Sequence, residues 1–145
     1  MEVIKYDDKY LEDVRRLTKE FHQESLNEYG MSFDPNALDR TIDDVKASSY
    51  LMIIDDKCQG MLAGKEVKTP TSMERYWHEV VWFVNKEYRR YGVRLLNTVK
   101  EMLKADGFDS VVMIYMHNSK SEKLHDLYIR MGLKPMETHY IGRLK

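Results

Sequence analysis

The sequence predicts an α/β fold in which helices pack on a mixed sheet, and three observations point there. Helical and strand-like apolar patterns interleave in the order β-α-α-β-β-β-α-β-α-β. Two apolar runs flank the turn-like Asp55-Asp56-Lys57, the pattern of a β-hairpin. The chain of 145 residues fits one compact domain and leaves little room for a second.

Val3 to Tyr6 reads as a first strand. Asp7 and Asp8 supply capping carboxylates for a helix whose apolar face is Leu11, Val14, Leu17 and Phe21. Asn27 to Asp34 reads as a loop. Asp34-Pro35 then starts a second helix, striped by Leu38, Ile42 and Val45. The hairpin strands are Tyr50 to Ile54 and Gly60 to Val67, which leaves Cys58 in the turn. After a loop from Thr69 to Met73, Trp77 to Val84 forms a strand dense in aromatic and β-branched residues. Leu95, Leu96, Val99, Met102 and Leu103 give a third helix, stopped near Gly107. Val111 to Met116 is almost continuously apolar, as a strand buried on both faces would be. Leu124, Leu127, Tyr128 and Met131 mark a fourth helix closed by Gly132, and Pro135 to Leu144 offers one or two final strands.

Hydrophobic residues make up 43% and charged residues 32%, the balance of a soluble globular protein. Most of the ten methionines sit in apolar stretches and read as core filler. The formal net charge of −1 gives no global attraction to nucleic acid. One cysteine forms no intrachain disulfide and suits a reducing, cytoplasmic compartment. Met1 to Tyr10 lacks the apolar core of a signal peptide, and no apolar run approaches the roughly 20 residues that cross a bilayer. His22, His117, His125 and His139 lack metal-ligand spacing and cysteine partners, so no metal is expected.

The informative stretch is Val84-Asn85-Lys86-Glu87-Tyr88-Arg89-Arg90-Tyr91-Gly92-Val93-Arg94. A strand ends, a basic turn with one glycine follows, and a helix begins. Backbone N–H groups and the positive end of the helix dipole then converge, and Arg89, Arg90 and Arg94 add formal charge. A phosphate or pyrophosphate suits that spot. A solvated basic turn opening an ordinary helix suits the same residues, and they do not choose between the two. Neither a Walker-type loop nor G-x-G-x-x-G occurs.

Val84, Tyr88, Arg89 and Gly92 match in register a V-x-P-x-Y-R-x-x-G-x-G/A signature, with Lys86 in place of Pro and Arg94 in place of the last Gly or Ala. Leu127-Tyr128-Ile129-Arg130-Met131-Gly132-Leu133 is similar to an L-Y-x-k-x-G-F segment. On these motifs the chain resembles the GNAT superfamily of N-acetyltransferases, most specifically from Glu79 to Tyr140. Its last residues, Gly132 to Tyr140, resemble small phage-encoded members. The resemblance implies a mixed, mostly antiparallel central sheet flanked by about four helices. It also implies acetyl-CoA as acyl donor, gripped by Trp82, Phe83, Val84, Arg89, Arg90, Tyr91, Gly92, Val93 and Arg94. Asn118 and Ser121 stand near the family's usual cofactor asparagine. Arg94 puts a Cβ and a long side chain at the closest backbone approach to phosphate. A second register sets Gly92 on the final Gly and Leu95 and Leu96 on the family's helix but loses the earlier matches, so the loop reads as shortened by about two residues, with arginines replacing some backbone contacts.

The implied reaction is direct acetyl transfer to an amine, without a covalent role for Cys58. A lysine-like amine is neutral only about once in 2,500 molecules at pH 7, so a positioned base is useful. Glu79, five residues before Val84, resembles the base of histone-type members; His78, on the opposite strand face, is the alternative. Tyr128, implied to approach the thioester sulfur, is the candidate acid for the leaving thiolate. It also belongs to an apolar stripe and suits a core tyrosine with a bonded hydroxyl. The acceptor, a small molecule or a protein amine, is not specified. Many relatives form homodimers, but nothing in this sequence demands one. Two other readings compete. One is a non-catalytic GNAT-like module acting through a protein partner, motivated by Arg94 and the displaced asparagine. The other is nucleic-acid binding through Lys86 and the arginines, which the net charge disfavours most.

Overall fold

The computed structural model describes residues 1–118 and 121–144 and lays five strands side by side in chain order. They are β1 (Glu2–Lys5), β2 (Tyr50–Ile54), β3 (Lys57–Val67), β4 (Tyr76–Val84) and β5 (Ser110–Val112). The first three pairings are antiparallel, and β4 pairs with β5 in parallel. Four helices cover the sheet: α1 (Leu11–Ser25), α2 (Pro35–Val45), α3 (Gly92–Ala105) and α4 (Ser121–Arg130). The mixed, mostly antiparallel α/β architecture therefore agrees with the expectation.

Each face of the sheet buries its own core. Val14 and Leu17 of α1 and Ile42 and Val45 of α2 pack on Leu51, Met61 and Phe83. On the other face Leu95, Leu96 and Val99 of α3 and Tyr128 of α4 pack on Tyr50, Leu62 and Trp77. Each fully buried Leu contributes about 1.5–3 kcal/mol relative to exposure, so both helix layers are held mainly by these stripes. Met52 and Met61 are core filler as expected, whereas Met73 and Met136 stand in solvent. Among the described residues no helix is long and apolar enough to cross a membrane.

Several local details differ from the sequence reading. The Asp7 carboxylate caps a single 3-10 turn over Asp8–Tyr10, accepting from Lys9 N at 2.8 Å, and α1 begins only at Leu11. Asp34 does cap α2, accepting from Asn36 N at 2.7 Å. The hairpin turn is confined to Asp55 and Asp56, whose φ values of 51° and 61° suit a tight two-residue turn and match the twist of the flanking strands. Cys58 is consequently in β3 rather than in the turn, and it is fully buried.

The larger departures concern β5 and the C-terminal segment. Pairing of β5 with β4 stops at His78 and Val112, so 113–116 is not strand and is half-buried, although its apolar run predicts a strand through Met116. The cause lies in β4. Ala63 faces Val81 and Gly64 faces Glu79, which leaves Val80 as an extra residue in a bulge. A bulge bends the strand and increases its twist, so β4 turns away from β5 just beyond His78. The segment after α4 forms no strand, against the one or two expected. Pro135 provides no N–H, and Arg143 is drawn to the α1–α2 connection, where its Nη1 donates to Gly30 O at 2.5 Å.

Candidate active site

The bulge also fixes which side chains share a face. Trp77 and Glu79 face α3 and α4, Val80 and Val81 both turn toward α1 and α2, and Trp82 and Val84 return to the α3–α4 side. His78 points to the opposite face from Glu79, as strand alternation requires. Its Nδ1 lies 2.9 Å from the Glu79 carbonyl oxygen. The two candidate bases are therefore not gathered at one spot.

Glu79 and Tyr128 are gathered. Where β4 and the 113–116 segment part, Glu79 Oε1 accepts from Ile114 N at 3.0 Å. Tyr128 Oη donates to Ile114 O at 2.9 Å. One residue of the diverging chain thus links both groups. The pairing supplies what the lost ladder would have supplied, since buried backbone N–H and C=O groups need partners. Glu79 is only 7% exposed, and burial pushes its carboxyl up to about 8 despite the opposing hydrogen bond from Ile114. Burial, and secondarily the Glu79 charge, also raises the Tyr128 phenol, so it stays protonated and serves as a hydroxyl donor. The Trp82 and Tyr128 rings lie 6.4 Å apart, which makes Trp82 a wall of the same cleft.

The basic stretch forms a 3-10 turn over Lys86–Tyr91 that runs directly into α3 at Gly92. No side chain caps α3 and its first turn holds no acidic residue, so the amides of Val93 and Arg94 open the helix without a protein counter-charge. Gly92, the first residue of α3, sits beside the end of β4; a Cβ there would lie 3.8 Å from Trp82 and 3.9 Å from Val84, ordinary contacts. Phe83 and Val84 are buried beneath the turn, with Phe83 on the α1 face and Val84 on the α3 face. Arg90 is exposed and stacks on Tyr91, 4.6 Å from the ring centre. Arg94 is exposed and makes no ion pair among the described residues.

Two residues of the sequence-predicted set are engaged elsewhere, with partners no motif signals. Arg89 Nε donates to Val84 O at 3.2 Å, and its Nη2 meets the Glu24 carboxylate at 2.9 and 3.2 Å. Asn118 Nδ2 donates to Ser25 O at 3.0 Å, satisfying a carbonyl at the end of α1 that has no intrahelical partner. Asn118 Oδ1 is buried without a hydrogen-bond partner. The side chain of Ser121 lies outside the described residues, and its backbone opens α4. No group of three or more His, Cys, Asp or Glu able to hold a metal occurs among the described residues.

The basic turn and helix start suit a ligand with an anionic end. Beyond His78 the strands are no longer paired, the uncapped α3 terminus with Arg90 and Arg94 offers positive potential, and Asn118 Oδ1 is left without a protein donor.

A model of the acetyltransferase (GNAT) family matches residues 11–133. No curated protein sequence matches the chain. Solved structures match over nearly the whole length. A ribosomal-protein-alanine N-acetyltransferase from Brucella melitensis biovar Abortus 2308 has TM-score 0.76 at 12% identity, covering 99% of this chain and 98% of that one. A possible acetyltransferase from Clostridium difficile 630 has TM-score 0.74 at 14% identity, covering 99% and 97%. An aminoglycoside acetyltransferase from an uncultured soil metagenomic sample, solved in complex with sisomicin, has TM-score 0.73 at 13% identity, covering 99% and 96%. At such identities these likenesses establish the fold, and the family match, over most of the chain, establishes the kinship. The chain belongs to the acetyltransferase (GNAT) family.

Proposed function

We propose that the chain transfers an acetyl group from acetyl-CoA directly to an amine, with Glu79 as base and Tyr128 as hydrogen-bond donor to the departing sulfur. The observation that carries this reading is the meeting of both side chains on Ile114, at the point where β4 and the following segment separate. Acetyl-CoA, bound there, supplies an activated thioester carbonyl. Arg89, Arg90, Arg94 and the first-turn amides of α3 would hold its pyrophosphate, and Asn118 Oδ1 would accept from an amide of its arm.

An ammonium cannot attack until it loses a proton, and the carboxylate of Glu79 takes that proton. A carboxyl poised near pH 8 is a stronger base than an exposed one and is still partly ionised at neutral pH, the compromise that general-base catalysis favours. Glu79 is preferred to His78 because it meets Tyr128 at Ile114, while His78 points to the other face of the strand. Tyr128 is a weaker acid than a free phenol, so its role is to steady the leaving sulfur through its hydroxyl, turning from Ile114 O to do so. As the C–N bond forms and the C–S bond breaks, the nitrogen's second proton passes to the departing thiolate, and Glu79 then gives its proton to bulk water. Sisomicin, named with one structural neighbour, carries several amines, and a small polyamine acceptor is a reasonable first class to screen.

Titration calorimetry with acetyl-CoA, with free CoA and 3′,5′-ADP as controls, tests the reading. Micromolar binding that needs the pyrophosphate, with thiol release in the presence of an amine, supports it. Absence of binding favours a non-catalytic module that works through a protein partner.

A further inference from the structure

The C-terminal turn of α1 lies across the cleft just described. Phe21 packs edge-on against Phe83 at 6.3 Å and seats the helix over the end of β4. One turn later, adjacent residues reach to both banks of the slot. Glu24 holds Arg89 on the α3 side, and Ser25 O holds Asn118 on the side of the diverging segment. Arg89 is further fixed by Val84 O and lies 5.4 Å from the centre of the Phe83 ring. A carboxylate therefore sits on the arginine that the signature would assign to pyrophosphate. The contact is half-exposed, with side-chain exposures of 37% and 51%, so it is weak enough to exchange.

From this we infer that Glu24 is a positioning residue that sets acyl-donor affinity: its carboxylate occupies Arg89 in the free protein and gives way to the pyrophosphate. The inference rests on the reading of the cleft as an acetyl-CoA site. Two negative groups cannot share one guanidinium without mutual repulsion, so donor binding carries the cost of breaking the Glu24–Arg89 pair. Once Glu24 is released, the Asn118 tie and the Phe21–Phe83 packing still hold this end of α1.

The test is titration of acetyl-CoA, and separately of S-acetylpantetheine, which carries no phosphate, into the wild type, Glu24→Gln, Arg89→Ala and the double variant. Glu24→Gln is expected to bind acetyl-CoA about two- to fivefold more tightly, the range that an exposed ion pair controls, and to leave S-acetylpantetheine affinity unchanged. In the Arg89→Ala background the same substitution should have no effect. A Glu24→Gln variant that binds acetyl-CoA no better than wild type overturns the inference and leaves the acetyl-CoA site standing. So does a gain that persists with S-acetylpantetheine or without Arg89. Failure of every variant to bind acetyl-CoA refutes the site and the inference together. Binding by Glu24→Gln alone supports both, and thermal melts of each variant separate these outcomes from loss of fold.

Discussion

Replacing Glu79 by Gln removes an ionisable group from a buried site and keeps an amide oxygen that can accept from Ile114 N. Its consequences can be worked from the raised carboxyl. A carboxyl held at about 8 in the folded chain and near 4.5 when unfolded binds more protons folded than unfolded throughout that interval. Its contribution is fully present below the unfolded value and is lost as pH rises through the folded one. Between about pH 5.5 and about pH 8.5 this group alone should take about 3 kcal/mol from the stability of the wild type, and nothing from Glu79→Gln. Urea denaturation of both proteins at those two pH values measures the difference. On the catalytic side, wild-type kcat/KM should rise with pH and level off above about 8, where the carboxylate form dominates. Glu79→Gln should lose about 10²–10⁴-fold and the corresponding limb of the profile. Equal pH dependence of stability in the two proteins would refute the raised carboxyl. A Glu79→Gln enzyme with the wild-type profile would refute the base, whatever the stability data show.

Three further outcomes are expected. Tyr128→Phe loses the hydrogen bond to Ile114 O, worth about 0.5–1.5 kcal/mol of stability, and should lower kcat with little change in acetyl-CoA affinity. An unchanged kcat removes Tyr128 from the chemistry. Gly64→Ala places a Cβ 2.4 Å from both His78 O and the Trp77 ring, next to the bulge, where neither neighbour can yield. It should cost upward of about 1–3 kcal/mol in a thermal or urea melt. Cys58 is buried and its thiol is pushed up to about 12 by desolvation, so a thiol reagent should not label the native protein at neutral pH. Labelling should appear only on unfolding, and activity should survive prolonged exposure to the reagent.

The elements with strong periodicity were legible in the sequence. Leu11, Val14, Leu17 and Phe21, and likewise Leu95, Leu96 and Val99, predict helices because one face of each must be buried. The approach of Glu79 to Tyr128 was legible only through family motifs, since the two lie 49 positions apart and spacing alone would never pair them. The bulge was not legible. Val80 and Val81 belong to a continuous apolar run, and nothing in their chemistry distinguishes the residue that is squeezed out of the ladder. The early end of β5 follows from that bulge and was hidden with it. Glu24 was equally hidden, because a carboxylate on an exposed helix face is ordinary until the fold puts an arginine opposite. The strand expected after Pro135 rested on mixed residues with no demanding period, the weakest kind of signal.

Val80 has a consequence for how this kind of protein can change. Without it, β4 would alternate regularly from Trp77 to Val84, lie flat against β3 and run on beside β5 through Ile114. Such a sheet would be longer and better hydrogen-bonded, and its parallel pair would stay closed beyond His78. The parting of β4 from β5 is therefore an imperfection one residue wide, kept at the expense of a more stable ladder. Selection for thermal robustness alone would erase it, and a laboratory evolution experiment scored only on stability should find deletions there before it finds better cores.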